Sequence, residues 1–87
     1  MIIRLRFFAS LRERLRRSEA EVTLPDGATV HDLWAALCAQ HPQLVELGKS
    51  ISFAVNQEYV DREHRLSNND EVALIPPVSG GIDVRDR

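Results

Sequence analysis

Apolar and polar side chains alternate at the beginning of this 87-residue chain. The apolar positions on one side of the first segment are Met1, Ile3, Leu5 and Phe7. The other side carries two arginines and is interrupted by Ile2 and Phe8. A two-residue period is typical of a strand with one buried face. Residues 1–8 are therefore predicted to form a strand, and the same alternation in residues 19–24 predicts a second one.

The period changes after a Pro-Asp-Gly turn at residues 25–27. Apolar side chains then recur at helical spacing, at Val30, Leu33, Trp34, Leu37 and Cys38. This spacing predicts a helix with one apolar stripe. Thr29 and Asp32 resemble a shortened capping box at its start. The helix is predicted to end near His41, because the residue before a proline disfavours helical geometry.

The remaining segments predict shorter elements. Residues 10–18, between the first two strands, are expected to form one helical turn. A further turn is expected at residues 42–47, ended by Gly48. Strands are predicted at residues 51–55, 59–60 and 71–75, with a tight turn at 56–58 and a loop at 61–69. Pro76 and Pro77 end the last strand because neither residue has a backbone N–H to donate.

This order of elements predicts an α+β fold. One amphipathic helix packed on one mixed sheet of four to five strands is the simplest two-layer arrangement that buries both apolar faces. The first and last strands are both apolar enough to be central and are expected to lie side by side. We therefore predict a ubiquitin-like β-grasp roll.

Charge is unevenly distributed along the chain, although the net charge is only −2. Residues 1–17 contain six arginines and one glutamate, a net +5, whereas the rest contains five basic and twelve acidic side chains, a net −7. The isoelectric point of about 5.9 is far below the value above roughly 9 that is common in nucleic-acid-binding domains. We therefore expect no nucleic-acid partner, and interpret the arginines as a solvated face or a protein-docking surface.

Composition also indicates in which cellular compartment the protein is expected. No apolar run approaches the roughly 20 residues of a membrane helix, so no membrane association is expected. Arginines interrupt the early apolar stretch, which is unlike a secretory signal. A single cysteine, Cys38, cannot form an internal disulfide, and this favours a cytoplasmic protein.

The side chains that most often carry chemistry are scattered. His31, His41 and His64 lie at a helix start, a helix end and a loop, and none has zinc-ligand spacing to another histidine or to Cys38. No phosphate-binding glycine motif or nucleophile elbow is present. We predict no metal site, no bound cofactor and no active site of the chain's own.

The segment after the last strand has a different character. Pro76 and Pro77 stiffen its start, and Gly80 and Gly81 leave a thin end without side chains. Such a tail can enter a narrow channel in which any Cβ would clash. The alternative is a flexible exit from the last strand with no role.

Four motifs resemble those of the small, sulfur-carrier subunits of molybdopterin synthases. They are Phe7-Phe8-Ala9 followed by Leu11-Arg12-Glu13, Ala54-Val55-Asn56-Gln57, Asn69-Asp70-Glu71-Val72-Ala73, and Pro76-Pro77-Val78-Ser79-Gly80-Gly81. The resemblance covers residues 1–81. It implies a ubiquitin-like sulfur-carrier domain with a flexible tail from about residue 76.

The resemblance also implies a mechanism and partners. Gly81 would be the reacting residue: an adenylyltransferase similar to ubiquitin-activating enzymes would use ATP to adenylate it, and sulfur would then replace AMP to give a thiocarboxylate. The large synthase subunit, in a heterotetramer, would hold the active site and transfer the sulfur to cyclic pyranopterin monophosphate. The tail-threading residues would be Pro77, Val78, Ser79 and Gly80. Phe8 and Leu66 are our candidates for apolar docking contacts.

Six residues after the second glycine depart from that family pattern. Because Ile82 follows Gly81, the glycine carries an amide in place of a carboxylate and cannot be adenylated. Three explanations are open: a protease removes Ile82–Arg87, the extension is foreign to the natural product, or the protein has lost or changed its role. We favour processing of a precursor to residues 1–81.

Two other functions are open at this point. One is a sulfur carrier of the same fold that serves thiamine, cysteine or thiolated-tRNA synthesis. The other is a non-catalytic β-grasp interaction module whose tail has no role.

Overall fold

The computed structural model describes residues 1–77, in which five strands, two α-helices and one 3₁₀ helix follow one another. The elements are β1 (Ile2–Phe7), α1 (Ala9–Leu15), β2 (Glu19–Thr23), α2 (Val30–Gln40), the 3₁₀ helix (Pro42–Leu47), β3 (Ser52–Val55), β4 (Glu58–Val60) and β5 (Glu71–Ile75). The predictions for tail residues 78–81 and for the extension 82–87 lie outside the described residues.

The five strands form one mixed sheet in the order β2-β1-β5-β3-β4. β1 and β5 are parallel neighbours, with Arg4 opposite Glu71 and Phe7 opposite Leu74. The other three pairings are antiparallel. The predicted contact between the first and last strands is thus confirmed, and so is the α+β, ubiquitin-like β-grasp roll.

One face of the sheet is covered by α2 and carries the core. The central strands β1 and β5 contribute side chains with no more than 2% exposure. These are Ile3, Leu5, Phe7, Val72 and Leu74. From α2, Trp34 meets Phe53 edge to face, with ring centroids 5.9 Å apart. Alternation along each central strand therefore leaves the opposite face, which we call the open face, to solvent.

Both ends of α2 follow the sequence signals. The Thr29 N–H donates to Asp32 Oδ2 at 2.9 Å, and the Asp32 N–H donates to Thr29 Oγ1 at 3.3 Å, so the capping box is present. The loop before β5 adds carbonyl acceptors for Val30 and His31. At the other end, the His41 N–H donates to the Leu37 carbonyl and the helix finishes at Gln40.

Helix α1 is longer than predicted. Residues 10–18 were expected to form one turn, but Ala9–Leu15 form a seven-residue helix. Leu11 is fully buried in the main core and Leu15 packs against it. Burial of these two leucines stabilises a helix that its arginine-rich sequence alone does not indicate. Arg16 ends it in the left-handed conformation, with φ of 57°.

The 3₁₀ helix ends at Gly48 as predicted, but for a different reason. The φ of Gly48 is −56°, so the left-handed conformation that favours glycine is not used at this position. A Cβ at this position would lie 2.9 Å from Trp34 Nε1. Close packing against the tryptophan therefore favours glycine.

Candidate functional site at the tail end of the sheet

The two ends of the sheet are distinct. β1 and β5 run in the same direction, so both finish at one end, which we call the tail end, and both begin at the other, which we call the closed end. At the tail end β5 finishes with Ile75, Pro76 is buried, and Pro77 is exposed. Pro77 is therefore accessible, as its predicted role requires, and Val78, Ser79, Gly80 and Gly81 lie beyond the described residues.

The open face has a charged half on β1 and β2. In the strand register Arg4 lies opposite Glu21 on one side and Glu71 on the other, and Arg6 lies opposite Glu19. Arg6 Nη1 also lies 3.7 Å from Glu71 Oε2. These two arginines are thus balanced by acidic neighbours in the same sheet. They explain part of the N-terminal positive charge without any external partner.

The other half of the open face, on β3, β4 and the part of β5 beyond Glu71, is partly apolar. Ala73 and Ala54 lie opposite each other at its centre, where Ala73 is half-buried and Ala54 is only 5% exposed beneath its neighbours. Tyr59 lies opposite Ala54 and is 73% exposed, and Ile75 is half-buried near the tail. Phe8 follows β1 and is 38% exposed, with the Arg6 guanidinium carbon 5.7 Å from its ring centroid. We call Phe8, Ala54, Tyr59, Ala73 and Ile75 the apolar half of the open face.

Sequence reasoning selected Phe8 but missed Tyr59. The structure leaves the Phe8 side chain accessible, so its role as a docking contact stays a prediction. Tyr59 reaches the open face because the turn at Asn56 and Gln57 sets the register of β3 and β4. Both turn residues have positive φ, 50° and 74°, as a type I′ hairpin turn requires. The two-residue turn that contains Asn56 is the sequence signal from which the position of Tyr59 beside Ala54 could have been predicted.

The structure does not leave Leu66 accessible for the docking role that was predicted for it. Its side chain is only 4% exposed and belongs to the main core. The Leu66 N–H donates to the Ala28 carbonyl at 2.9 Å, which fixes the loop over the start of α2. An isolated leucine in a polar loop looked like a surface contact, but it anchors that loop to the core.

Two of the motifs that carry the family resemblance meet at the closed end. Asn56 Nδ2 donates to Asp70 Oδ1 at 2.9 Å, and the Glu71 N–H donates to Asn56 Oδ1 at 3.1 Å. Asp70 Oδ2 also accepts from the Ser67 N–H at 2.8 Å. Asn56 and Asp70 therefore hold the β3–β4 turn to the start of β5, and their contribution is to the fold.

The remaining reactive side chains do not come together. Within residues 1–77, no group of three or more His, Cys, Asp or Glu side chains is placed to hold a metal ion. Cys38 is half-buried on α2, and burial raises the pKa of its thiol while the charge of Arg62 opposes this. A raised pKa keeps the thiol protonated and poorly nucleophilic near neutral pH. Over the same residues, no helix is long and apolar enough to cross a membrane.

Comparison with known proteins places these features in a family. Residues 5–81 match the ThiS family. The chain is 45% identical over 83 residues to the molybdopterin synthase sulfur carrier subunit of Chlamydomonas reinhardtii, covering 93% of this chain and 100% of that protein. It is 40% identical over 83 residues to the protein of the same name from Escherichia coli K12, covering 92% and 100%.

A solved structure agrees with the sequence matches. The crystal structure of SAMP1, small archaeal modifier protein 1, from Haloferax volcanii superimposes with a TM-score of 0.83 at 30% identity. The match covers 93% of this chain and 100% of that one.

Proposed function

The chain belongs to the ThiS family, and from this we propose that it is the sulfur-carrier subunit of a molybdopterin synthase, acting through Gly81. The observation that carries the proposal is the similarity to the algal sulfur carrier subunit, which extends over the whole of that protein. The end of β5 supports it, because the strand finishes at Ile75 and Pro77, two residues later, is exposed.

The chemistry proposed for Gly81 requires a free carboxylate. A carboxylate oxygen attacks the α-phosphorus of ATP on an adenylyltransferase, and pyrophosphate leaves. The terminal sulfur of a persulfide then displaces AMP from the acyl carbon to give an acyl disulfide. A thiol attacks the other sulfur of this disulfide, which forms a new disulfide and releases the thiocarboxylate. Its ionised sulfur is a nucleophile without help from a neighbouring base.

Two protein partners follow from this proposal. The adenylyltransferase activates Gly81, and the large synthase subunit takes up the tail and transfers sulfur to cyclic pyranopterin monophosphate, one atom per carrier visit. The apolar half of the open face includes Ile75, the last residue of β5, and is the surface we propose for both. Aromatic side chains such as Tyr59 and Phe8 are typical centres of protein interfaces. Removal of Ile82–Arg87 by a protease completes the proposal.

The test compares two forms of the chain. A form ending at Gly81 is incubated with ATP, the cognate activating enzyme and a sulfur donor, and its intact mass is measured. We expect a mass gain equal to replacing one oxygen by sulfur. The 87-residue chain is the matched control and should remain unmodified, because its Gly81 carbonyl is an amide.

The proposed processing is tested on protein from its native cells. Intact-mass measurement should find a form that ends at Gly81. Detection of the 87-residue form alone would contradict the carrier function, and so would a Gly81-terminated form that the activating enzyme leaves unchanged.

A second candidate function, as a modifier of other proteins, is supported by the similarity to SAMP1, whose name is small archaeal modifier protein 1. In that case the activated Gly81 would form amide bonds with lysines of other proteins. Expression of a tagged form ending at Gly81 would then give high-mass conjugates that survive reducing agents. A carrier alone would give the thiocarboxylate and no such conjugates.

A further inference from the structure

Four exposed arginines lie in helix α1 and in the turn that leads from it into β2, at the end of the sheet where β5 finishes. They are Arg12, Arg14, Arg16 and Arg17, which we call the arginine patch. Helix α1 directly follows β1, and the tail directly follows β5. Because β1 and β5 are parallel neighbours, both segments emerge at the tail end, and α1 contacts β5 there. Any protein that takes up the tail therefore approaches the arginine patch.

The arginine patch differs electrostatically from the arginines of the open face. Arg4 lies between Glu21 and Glu71 in the register, and Arg6 lies opposite Glu19 and pairs with Glu71. Among residues 1–77, the ion pairs within 4.0 Å join the N-terminal amine to Asp26 and Arg6 to Glu71, so no member of the patch takes part in one. Residues 12–17 contain four arginines and one glutamate, a net +3. Within residues 1–77, therefore, no ion pair compensates this positive charge.

The length of the tail determines which part of a partner protein the arginine patch can contact. Residues 78–81 span at most roughly 14 Å when fully extended, at about 3.5 Å per residue. The reacting carbon of Gly81 can thus lie well inside a partner while α1 stays outside. The patch would then meet the surface around the entrance of the partner's channel, not the nucleotide or pterin at its bottom.

We propose that the arginine patch binds a carboxylate-rich rim around the tail-binding channel of the partner protein. This inference rests on the proposed function, because it assumes a protein that takes up the tail. Guanidinium groups pair with carboxylates through two parallel hydrogen bonds, which suits arginine better than lysine. A protein partner is favoured over nucleic acid because the chain is acidic overall, with an isoelectric point of about 5.9.

Rim charges act mainly on the rate of association and its dependence on salt. We would therefore measure association and dissociation of the Gly81-terminated chain with the cognate large synthase subunit and with the activating enzyme, at several salt concentrations. The test variant is R14E/R17E. R14Q/R17Q serves as the milder variant if charge reversal perturbs α1, and circular dichroism and thermal melting verify the fold of both.

The matched control is R65E. Arg65 is exposed, and its backbone bridges Thr29 at the start of α2, towards the closed end of the molecule. R65E and a single R14E change the net charge equally, so the comparison separates position from total charge. We expect R14E/R17E to slow association with at least one of the two partners about tenfold at low salt and to flatten its salt dependence. We expect R65E to change association less than about twofold.

Three results would overturn the inference. Equal effects of R14E and R65E would mean that only net charge matters. Unchanged association of R14E/R17E with both partners would remove the role of the patch while leaving the proposed function intact. Salt-sensitive binding of a short RNA or DNA duplex, lost in R14E/R17E while partner association is unchanged, would assign the patch to nucleic acid. Failure of the unmutated chain to bind either partner would contradict the proposed function itself.

Discussion

The closed end and the tail end of the sheet differ in how the chain is held. At the closed end the Ile2 N–H donates to Asn68 Oδ1 and the Asn69 N–H donates to the Ile2 carbonyl, both at 2.7 Å. The N-terminal amine donates to the Leu24 carbonyl, also at 2.7 Å. At the tail end, by contrast, β5 runs into two prolines that donate no hydrogen bonds. Because hydrogen bonds hold β1 and β5 at the closed end, the segment that follows β5 at the tail end is available to partners.

This difference predicts that changes at the two ends affect different measurements. Substitutions at the closed end should lower the free energy of unfolding and leave the reactivity of Gly81 intact in the folded fraction. Changes at the tail end should alter activation or partner binding and leave stability nearly unchanged. Four predictions test this separation.

The largest effect is expected from shortening the tail. A chain ending at Ser79 should show no thiocarboxylate formation under conditions in which the chain ending at Gly81 is modified, because its terminal residue has a side chain that a narrow channel excludes. Its thermal midpoint should match that of the Gly81-terminated chain, since all described elements lie within residues 1–77. Intact mass and circular dichroism provide the two measurements, and a drop in thermal midpoint would show that the tail also supports the fold.

Leu66→Ala should be the most destabilising of these substitutions. The side chain is 4% exposed in the core, and removal of a buried leucine costs about 2–5 kcal/mol. Urea denaturation of L66A and the unmutated chain measures the difference. Partner affinity of the folded variant should be unchanged, and a loss of affinity at full stability would restore Leu66 as a docking residue.

Asp70→Ala should destabilise the fold less. The carboxylate accepts hydrogen bonds from Asn56 Nδ2 and the Ser67 N–H, and their loss is expected to cost about 1–3 kcal/mol. A double-mutant cycle with Asn56→Ala, followed by urea denaturation, would measure the coupling between the two side chains. Independent effects of the two substitutions would mean that the observed hydrogen bond contributes little.

Phe8→Ala should have the smallest effect on stability, below about 1 kcal/mol, because the ring is 38% exposed. We expect its affinity for the large synthase subunit to fall several-fold, as measured by titration calorimetry, because an aromatic contact is lost from the interface. Ile2→Ala is a matched control, since Ile2 is 45% exposed at the start of β1, at the closed end, whereas Phe8 directly follows the same strand at the tail end. Equal affinity losses for F8A and I2A would remove the distinction between the two ends.

Much of the fold could be predicted from local patterns. The alternation in β1, the helical stripe of α2 and the Thr29–Asp32 capping box each depend on residues close together in sequence. Helix α1 was underestimated because its stability depends on the burial of Leu11 beneath distant elements. The candidate site was predicted unevenly for the same reason. The exposure of Phe8 could be predicted from the alternation of residues 1–8. The burial of Leu66 could not, because it depends on a loop that crosses the start of α2.

The sequence alone determined the order of elements, the ubiquitin-like β-grasp class and the Pro-Pro-Val-Ser-Gly-Gly tail, because period, turn chemistry and motifs are local properties. Only the tertiary structure decided how the N-terminal arginines divide. The antiparallel pairing of β1 with β2 and its parallel pairing with β5 bring Glu21 and Glu71 to either side of Arg4. The same parallel pairing places α1 in contact with β5. Charged side chains that are distant in sequence become neighbours only through strand register, so the charge distribution on this face depends on the fold.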